Sequence, residues 1–192
     1  MRAFYEDFWA DAPQDPEPWA FHQRNALLHG DIREGDRVLD LGCGAGRFLA
    51  GLDNAVGVEI AEHAAKRARR NVPGADVRLL EPDGSLPLGH GEIDLVWCSE
   101  VLEHIADVAH ALLEIRRVLK PDGRVLITVP YHGRVQAAGI ALTRFDRHFD
   151  PLGQHLRFFT RTSLKTTLEH AGFTRIKISR ARPSMLAARA SR

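Results

Sequence analysis

The chain has 192 residues, 44% of them hydrophobic, with 26 Lys/Arg against 25 Asp/Glu and a formal net charge of +1. That length suits one sizeable core rather than two ordinary domains, and no apolar run is long enough to span a bilayer. Two cysteines, Cys43 and Cys98, argue against a disulfide framework and for reduced thiols, so a cytoplasmic protein with no membrane partner is expected.

The N-terminus, "MRAFYEDFWADAPQ", is acidic and aromatic, unlike a secretory leader. Tyr5, Phe8, Trp9 and Trp19 are spread along a segment interrupted by Pro13, Pro16 and Pro18, and "WAFHQRNALLHG" (19–30) reads as a helix ending at Gly30. "RVLDLGCGAGRFLAGL" (37–52) begins as a buried strand, turns through glycines, and resumes with Phe48, Leu49 and Leu52 at helical spacing. A strand at 55–60, a helix at 61–71 with the basic run "KRARR" on a solvated face, and a strand at 76–80 follow.

"IDLVWCS" (93–99) is a fourth strand, "DVAHALLEIRRVLKPDG" (107–123) a helix stopped by Pro-Asp-Gly, and "RVLITVP" (124–130) a fifth strand. The stretch 131–159 holds His132, His148 and His155 with Phe145, Phe149, Phe158 and Phe159, and a short helix is expected near 134–143. A capped helix over 160–172 precedes two strands, 173–180 and 184–190, that pair. Apolar strands alternating with helices imply an α/β fold with a largely parallel sheet covered on both faces. Residues 131–192 carry 12 Lys/Arg against 3 Asp/Glu, whereas 1–130 carry 14 against 22. A basic C-terminal third can attract an anionic partner such as nucleic acid or a phosphorylated small molecule, although a solvated surface is the simpler reading.

In such sheets the first strand-to-helix turn meets a ligand with bare backbone. Here it is Asp40-Leu41-Gly42-Cys43-Gly44-Ala45-Gly46, and Arg47 stands where a dinucleotide fingerprint would place its third glycine, which argues against an NAD oxidoreductase. The stretch instead resembles motif I, D-x-G-x-G-x-G, of the class I S-adenosylmethionine-dependent methyltransferases. Glu59 at the end of the second strand, "LPLGHGEIDLVWCSEVLEHI" and "LKPDGRVLITVP" extend the resemblance over about residues 36–130.

The resemblance implies a Rossmann-like sheet of order 3-2-1-4-5-7-6 with strand 7 antiparallel. It implies an N-terminal helical cap over 1–35, a cofactor-binding core over 36–130, a substrate lid over 131–159, and a C-terminal helix and hairpin over 160–192. Gly42, Cys43 and Gly44 would pass the methionine part of S-adenosylmethionine, with Asp40 near its amino group or capping a helix. Glu59 would take the ribose hydroxyls, Ile60 would pack on the adenine, and Asp83 with Gly84 would meet the adenine edge; the family's usual acidic position falls on Pro82, flanked by Glu81 and Asp83. Arg24 is a candidate clamp for the methionine carboxylate, and Ser99 and Glu100 would line the pocket.

"SEVLEH" (99–104) places Glu100, Glu103 and His104 on one face if it is helical. It resembles the Glu-x-x-Glu-His segment of the metal-dependent small-RNA 2′-O-methyltransferases and the ubiquinone-biosynthesis O-methyltransferases, with His155 as the fourth ligand of a divalent metal. The same segment also occurs in metal-free relatives, where His104 or His155 remains a candidate base. The leading expectation is methylation of a small-molecule acceptor at oxygen. The alternatives are metal-assisted 2′-O-methylation of RNA and a non-catalytic S-adenosylmethionine-binding module. The residue pattern specifies neither the acceptor nor the oligomeric state.

Overall fold

The computed structural model describes residues 2–13, 16–143 and 154–192, with the side chains of 134–136 left aside. His148, Phe145 and Phe149 lie outside the described residues. Seven strands form one sheet: β1 (Val38–Leu41), β2 (Ala55–Glu59), β3 (Asp76–Leu79), β4 (Ile93–Ser99), β5 (Leu119–Pro130), β6 (Thr174–Ala181) and β7 (Met185–Ser191). Their order is β3-β2-β1-β4-β5-β7-β6, as expected. The first five are parallel, and β7 runs antiparallel to both β5 and β6. The helices are α1 (Arg2–Asp11), α2 (Phe21–His29), α3 (Glu62–Asn71), α4 (Val108–Val118), α5 (Arg134–Thr143) and α6 (Arg161–His170).

The strands are apolar throughout because successive side chains enter opposite faces and both faces are covered. Leu39, Val96 and Cys98 pack on the face that takes Leu112, Ile115 and Val118 of α4 and Leu164 and Leu168 of α6. Val38, Leu95 and Trp97 point the other way, onto Leu28 of α2 and onto Phe48. This alternation places Asp40 and Ser99 on the α2 face, two residues beyond Val38 and Trp97. Burial of each large side chain contributes about 1.5–3 kcal/mol.

Two elements differ from the sequence pattern. After the glycine loop the chain makes only a 3₁₀ turn, Leu49–Gly51, and is extended again at Leu52 (φ −122°, ψ 124°), since β2 begins at Ala55 and leaves no room for a helix. The stretch after α4 is strand rather than helix end. Lys120 precedes Pro121, which disfavours helical backbone, so Leu119 leaves α4 extended and pairs with Ile93. α6 starts with the capping expected at Thr160, whose side chain accepts the Ser163 amide at 3.0 Å. No helix among the described residues is long and apolar enough to cross a membrane.

Candidate active site

The carboxyl ends of β1, β2 and β4 open onto a cavity of about 560 Å³. Its floor is the loop after β1. Gly42 (φ 74°) donates its amide to the Val58 carbonyl at 2.8 Å, and a Cβ on it would sit 2.6 Å from Val101 Cγ2. Gly46 (φ 84°) has a different duty, since a Cβ there would lie 3.2 Å from Ala68 Cα, so its bareness lets the loop close on α3.

Glu59 organises the loop from the end of β2. Its Oε2 accepts the Gly44 amide at 2.8 Å, and its Oε1 accepts the amides of Ile60 and Ala61 at 2.7 and 3.1 Å. Burial raises its carboxyl above the usual range against the pull of these amides. Oε1 is filled by its two amides, and Oε2, with one, keeps acceptor capacity for a ribose hydroxyl.

Gly42, Gly44, Glu59, Ile60, Asp83, Gly84 and Glu100 line the cavity as expected. Arg24, Asp40, Cys43 and Ser99 are buried behind the lining. Arg24 is not arranged as the expected clamp. Its Nε donates to Ser99 Oγ (2.7 Å), one Nη to the Ser99 carbonyl (2.9 Å), and the other to the Trp19 carbonyl (3.1 Å). Ser99 Oγ, accepting from Arg24, also shares a hydrogen bond of 2.6 Å with Thr128 Oγ1, in which either hydroxyl can donate. Thr128 in turn bonds the Glu100 carboxyl, which burial raises overall and this bond lowers. Asp40, opposite Arg24, is pushed up to about 7 by burial, partly offset by the guanidinium, and its Oδ2 has no partner among the described residues.

"SEVLEH" does not form a helical face. Glu100 adopts positive φ (56°) and only Leu102–His104 make a 3₁₀ turn. Glu103, His104 and His155 nevertheless gather, with one ligand atom from each within 4.8 Å of the others, and the two imidazole centroids are 4.9 Å apart. Glu100 falls outside this group, so the expected quartet is a trio. Glu103 is 1% exposed with neither oxygen partnered among the described residues, and burial with the nearby Glu100 pushes it up to about 8. His104 Nδ1 lies 2.8 Å from the Gln154 carbonyl, which only accepts. Nδ1 therefore carries the proton and leaves the Nε2 lone pair free, 3.7 Å from Glu103 Oε1. Burial lowers the His104 pKa.

Tyr5, Phe8 and Trp9, three of the N-terminal aromatics that the sequence offers as a cap, line the cavity. Tyr5 sits edge-on to His104 at 6.0 Å, and burial, aided by Glu103 and Glu59, pushes its hydroxyl up to about 12. Trp9 lies on the glycine loop, 3.1 Å from where a Gly44 Cβ would be. Glu6 and Arg67 hold this helix down. Glu6 accepts the Glu62 and His63 amides at the start of α3, and Arg67 donates to the Trp9 and Pro13 carbonyls. Neither residue was legible as a latch, because each works across more than fifty positions of chain.

A large cavity at the carboxyl ends of parallel strands, with a glycine floor and a buried carboxylate on the second strand, defines a nucleotide-type cofactor site. Comparison with known proteins places it. Residues 8–178 match the family model of a methyltransferase domain. The chain is 34% identical over 102 residues to the ubiquinone biosynthesis O-methyltransferase of Thiobacillus denitrificans, covering 49% of this chain and 44% of that one. It is 36% identical over 106 residues to the 27-O-demethylrifamycin SV methyltransferase of Amycolatopsis mediterranei, covering 50% and 39%. The chain thus spans less than half the length of these curated relatives. The fold matches that of the PH0226 protein of Pyrococcus horikoshii, with TM-score 0.74, 17% identity, and 100% and 99% of the two chains covered.

The chain belongs to the class I S-adenosylmethionine-dependent methyltransferases. Its cavity fits that family's cofactor: Gly42 and Gly44 present bare backbone, and Glu59 keeps acceptor capacity at the ribose position.

Proposed function

We propose that the chain transfers the methyl group of S-adenosylmethionine to a hydroxyl oxygen of a small-molecule acceptor. The observation that carries this reading is His104: it lines the cavity, and its tautomer is set by the Gln154 carbonyl so that Nε2 can take a proton. Methyl transfer from a sulfonium is an in-line displacement, so holding acceptor and methyl collinear in a dry pocket supplies much of the rate. A hydroxyl must also lose its proton, and a neutral imidazole beside the pocket does that. Tyr5 and Trp9 close the pocket from α1 and keep water out. The exposed carboxylates Glu81, Asp83 and Asp107 in its lining disfavour a phosphate-rich acceptor. Two buried free thiols suit a reducing cytoplasm.

The test is S-adenosylhomocysteine formation across paired phenol, alcohol and amine acceptors. Turnover of a hydroxyl acceptor is expected, with kcat falling by roughly 10²–10⁴ in His104→Ala. Turnover of amines alone would overturn the assignment to oxygen.

A second reading is metal-assisted 2′-O-methylation of RNA, supported by the Glu103, His104 and His155 trio and the basic C-terminal third. The His104 arrangement suits a metal ligand, with one nitrogen free and the other held by a carbonyl. A bound divalent ion would acidify the acceptor hydroxyl. Stoichiometric metal in purified protein, lost in His155→Ala together with RNA methylation, would favour it; metal-free protein active on small molecules would exclude it.

A further inference from the structure

A second cluster lies at the same end of the sheet, beyond the cofactor cavity. Tyr131, the first residue after β5, and Arg180 of β6 share a face, because Val129 pairs with Leu186 of β7 and Leu186 pairs with Arg180. Their side chains meet across β7. Arg180 Nη2 donates to Tyr131 Oη at 3.2 Å, and its guanidinium carbon lies 5.1 Å from the ring centroid. Tyr131 is tied down by its amide, which donates to the Ser184 carbonyl at 2.9 Å. Since Tyr131 Oη accepts from Arg180, its own proton is left to donate. Arg180 is exposed, and no carboxylate pairs with it among the described residues. A second cation, Arg161 at the start of α6, donates to the Ile178 carbonyl at 2.8 Å, two residues along β6.

A line of rings joins this corner to His104. Their centroids step 4.9 Å from His104 to His155, 6.0 Å on to Phe158 and 6.2 Å on to His132, the chain neighbour of Tyr131. Neighbouring strands lie about 4.8 Å apart, so a pair meeting over β7 stands about 10 Å from the exit of β4, where Glu100 and His104 line the cavity. Rings along this path stack on a flat molecule, while a guanidinium and a phenol hydroxyl at its end hold a carboxylate. We infer that Arg180, with Tyr131, binds the carboxylate of an aromatic hydroxy acid whose reacting hydroxyl lies about 10 Å away, beside His104. The inference rests on methyl transfer to a hydroxyl, the reading proposed above. A carboxylate held here stays apart from Glu81, Asp83 and Asp107, which line the cavity.

The experiment compares kcat/KM of the full chain for 4-hydroxycinnamate, with carboxylate and hydroxyl at opposite ends, and for its methyl ester. Wild type is expected to favour the acid by about tenfold or more, the worth of one charge-assisted hydrogen bond. Arg180→Met is expected to lower kcat/KM for the acid about tenfold, mainly through KM, and to bring acid and ester within about twofold. Arg180→Lys should restore part of the preference, and Tyr131→Phe should lose part of it. An unchanged preference in Arg180→Met overturns the inference. So does a wild type that treats acid and ester alike, a result that stands even if the variants fail to fold. Calorimetric titration of the acid onto protein saturated with S-adenosylhomocysteine reads the same contact without turnover. Acid bound through Arg180 but never methylated would overturn the assignment to oxygen and keep the carboxylate site; methylation of an uncharged phenol with no binding of the acid would do the reverse.

Discussion

Glu6 of α1 accepts the backbone amide of Glu62 at 2.7 Å, so the cap of α3 comes from another helix. Ala61, at the N-cap position, supplies no side-chain bond. Arg67 of α3 returns the contact to the carbonyl of Trp9 at 2.6 Å. α1 has no fully buried residue, so this exchange holds the helix over the cavity. Glu6→Ala should cost about 0.5–2 kcal/mol locally. Hydrogen exchange over 2–11 is expected to quicken in Glu6→Ala, more so in Glu6→Ala with Arg67→Ala, while the protection of β4 and β5 stays as in wild type. Uniform loss of protection would show that α1 is integral to the core instead.

Gly42 predicts a clash and a strain that can be separated. Gly42→Ala meets Val101 Cγ2 at 2.6 Å and must hold φ 74°, a backbone cost of about 1–2 kcal/mol. Adding Val101→Ala removes the clash and leaves the strain. Chemical denaturation should therefore show the double variant recovering only part of the lost stability, and full recovery would disprove the strain.

The Asp40 carboxyl is at about 7 in the folded chain against an ordinary 3.8. Between these values the folded chain keeps a proton that the unfolded chain releases, so this group makes stability fall as pH rises from about 4 to 7. Asp40→Asn cannot titrate and should flatten that part of the profile. Urea midpoints of the ligand-free protein at pH 5, 6 and 7 check this; parallel profiles for the two proteins would contradict it.

Glu59 bonds three amides through two oxygens. Glu59→Gln keeps one acceptor oxygen and turns an amide N–H toward backbone donors, so both the loop and the ribose position suffer. S-adenosylhomocysteine binding should weaken by at least roughly tenfold, in line with losing a charge-assisted bond, as read by titration. Affinity within twofold of wild type would remove Glu59 from the cofactor site.

Features written in neighbouring residues were readable before folding. Five buried runs, the two pairing strands after the capped helix, the stops at Gly30 and Gly172, and the spacing of Asp40, Gly42 and Gly44 are local, and the seven strands observed match those runs. Phe48, Leu49 and Leu52 misled, because helical spacing ignores how soon β2 must begin. "KRARR" was legible as a solvated face, yet Arg67 turned out to hold α1, since nothing near it in the chain signals Trp9.

By itself the sequence determined the parallel sheet, the glycine floor and the acid at the end of β2, for these depend on periodicity, backbone freedom and spacing. Only the tertiary structure decided that Arg24 turns inward to Ser99, that Glu100 leaves the group formed by Glu103, His104 and His155, and that Arg180 reaches Tyr131 across β7. Each is a meeting of side chains from separate segments, fixed by which buried donor can reach which acceptor once the sheet has closed.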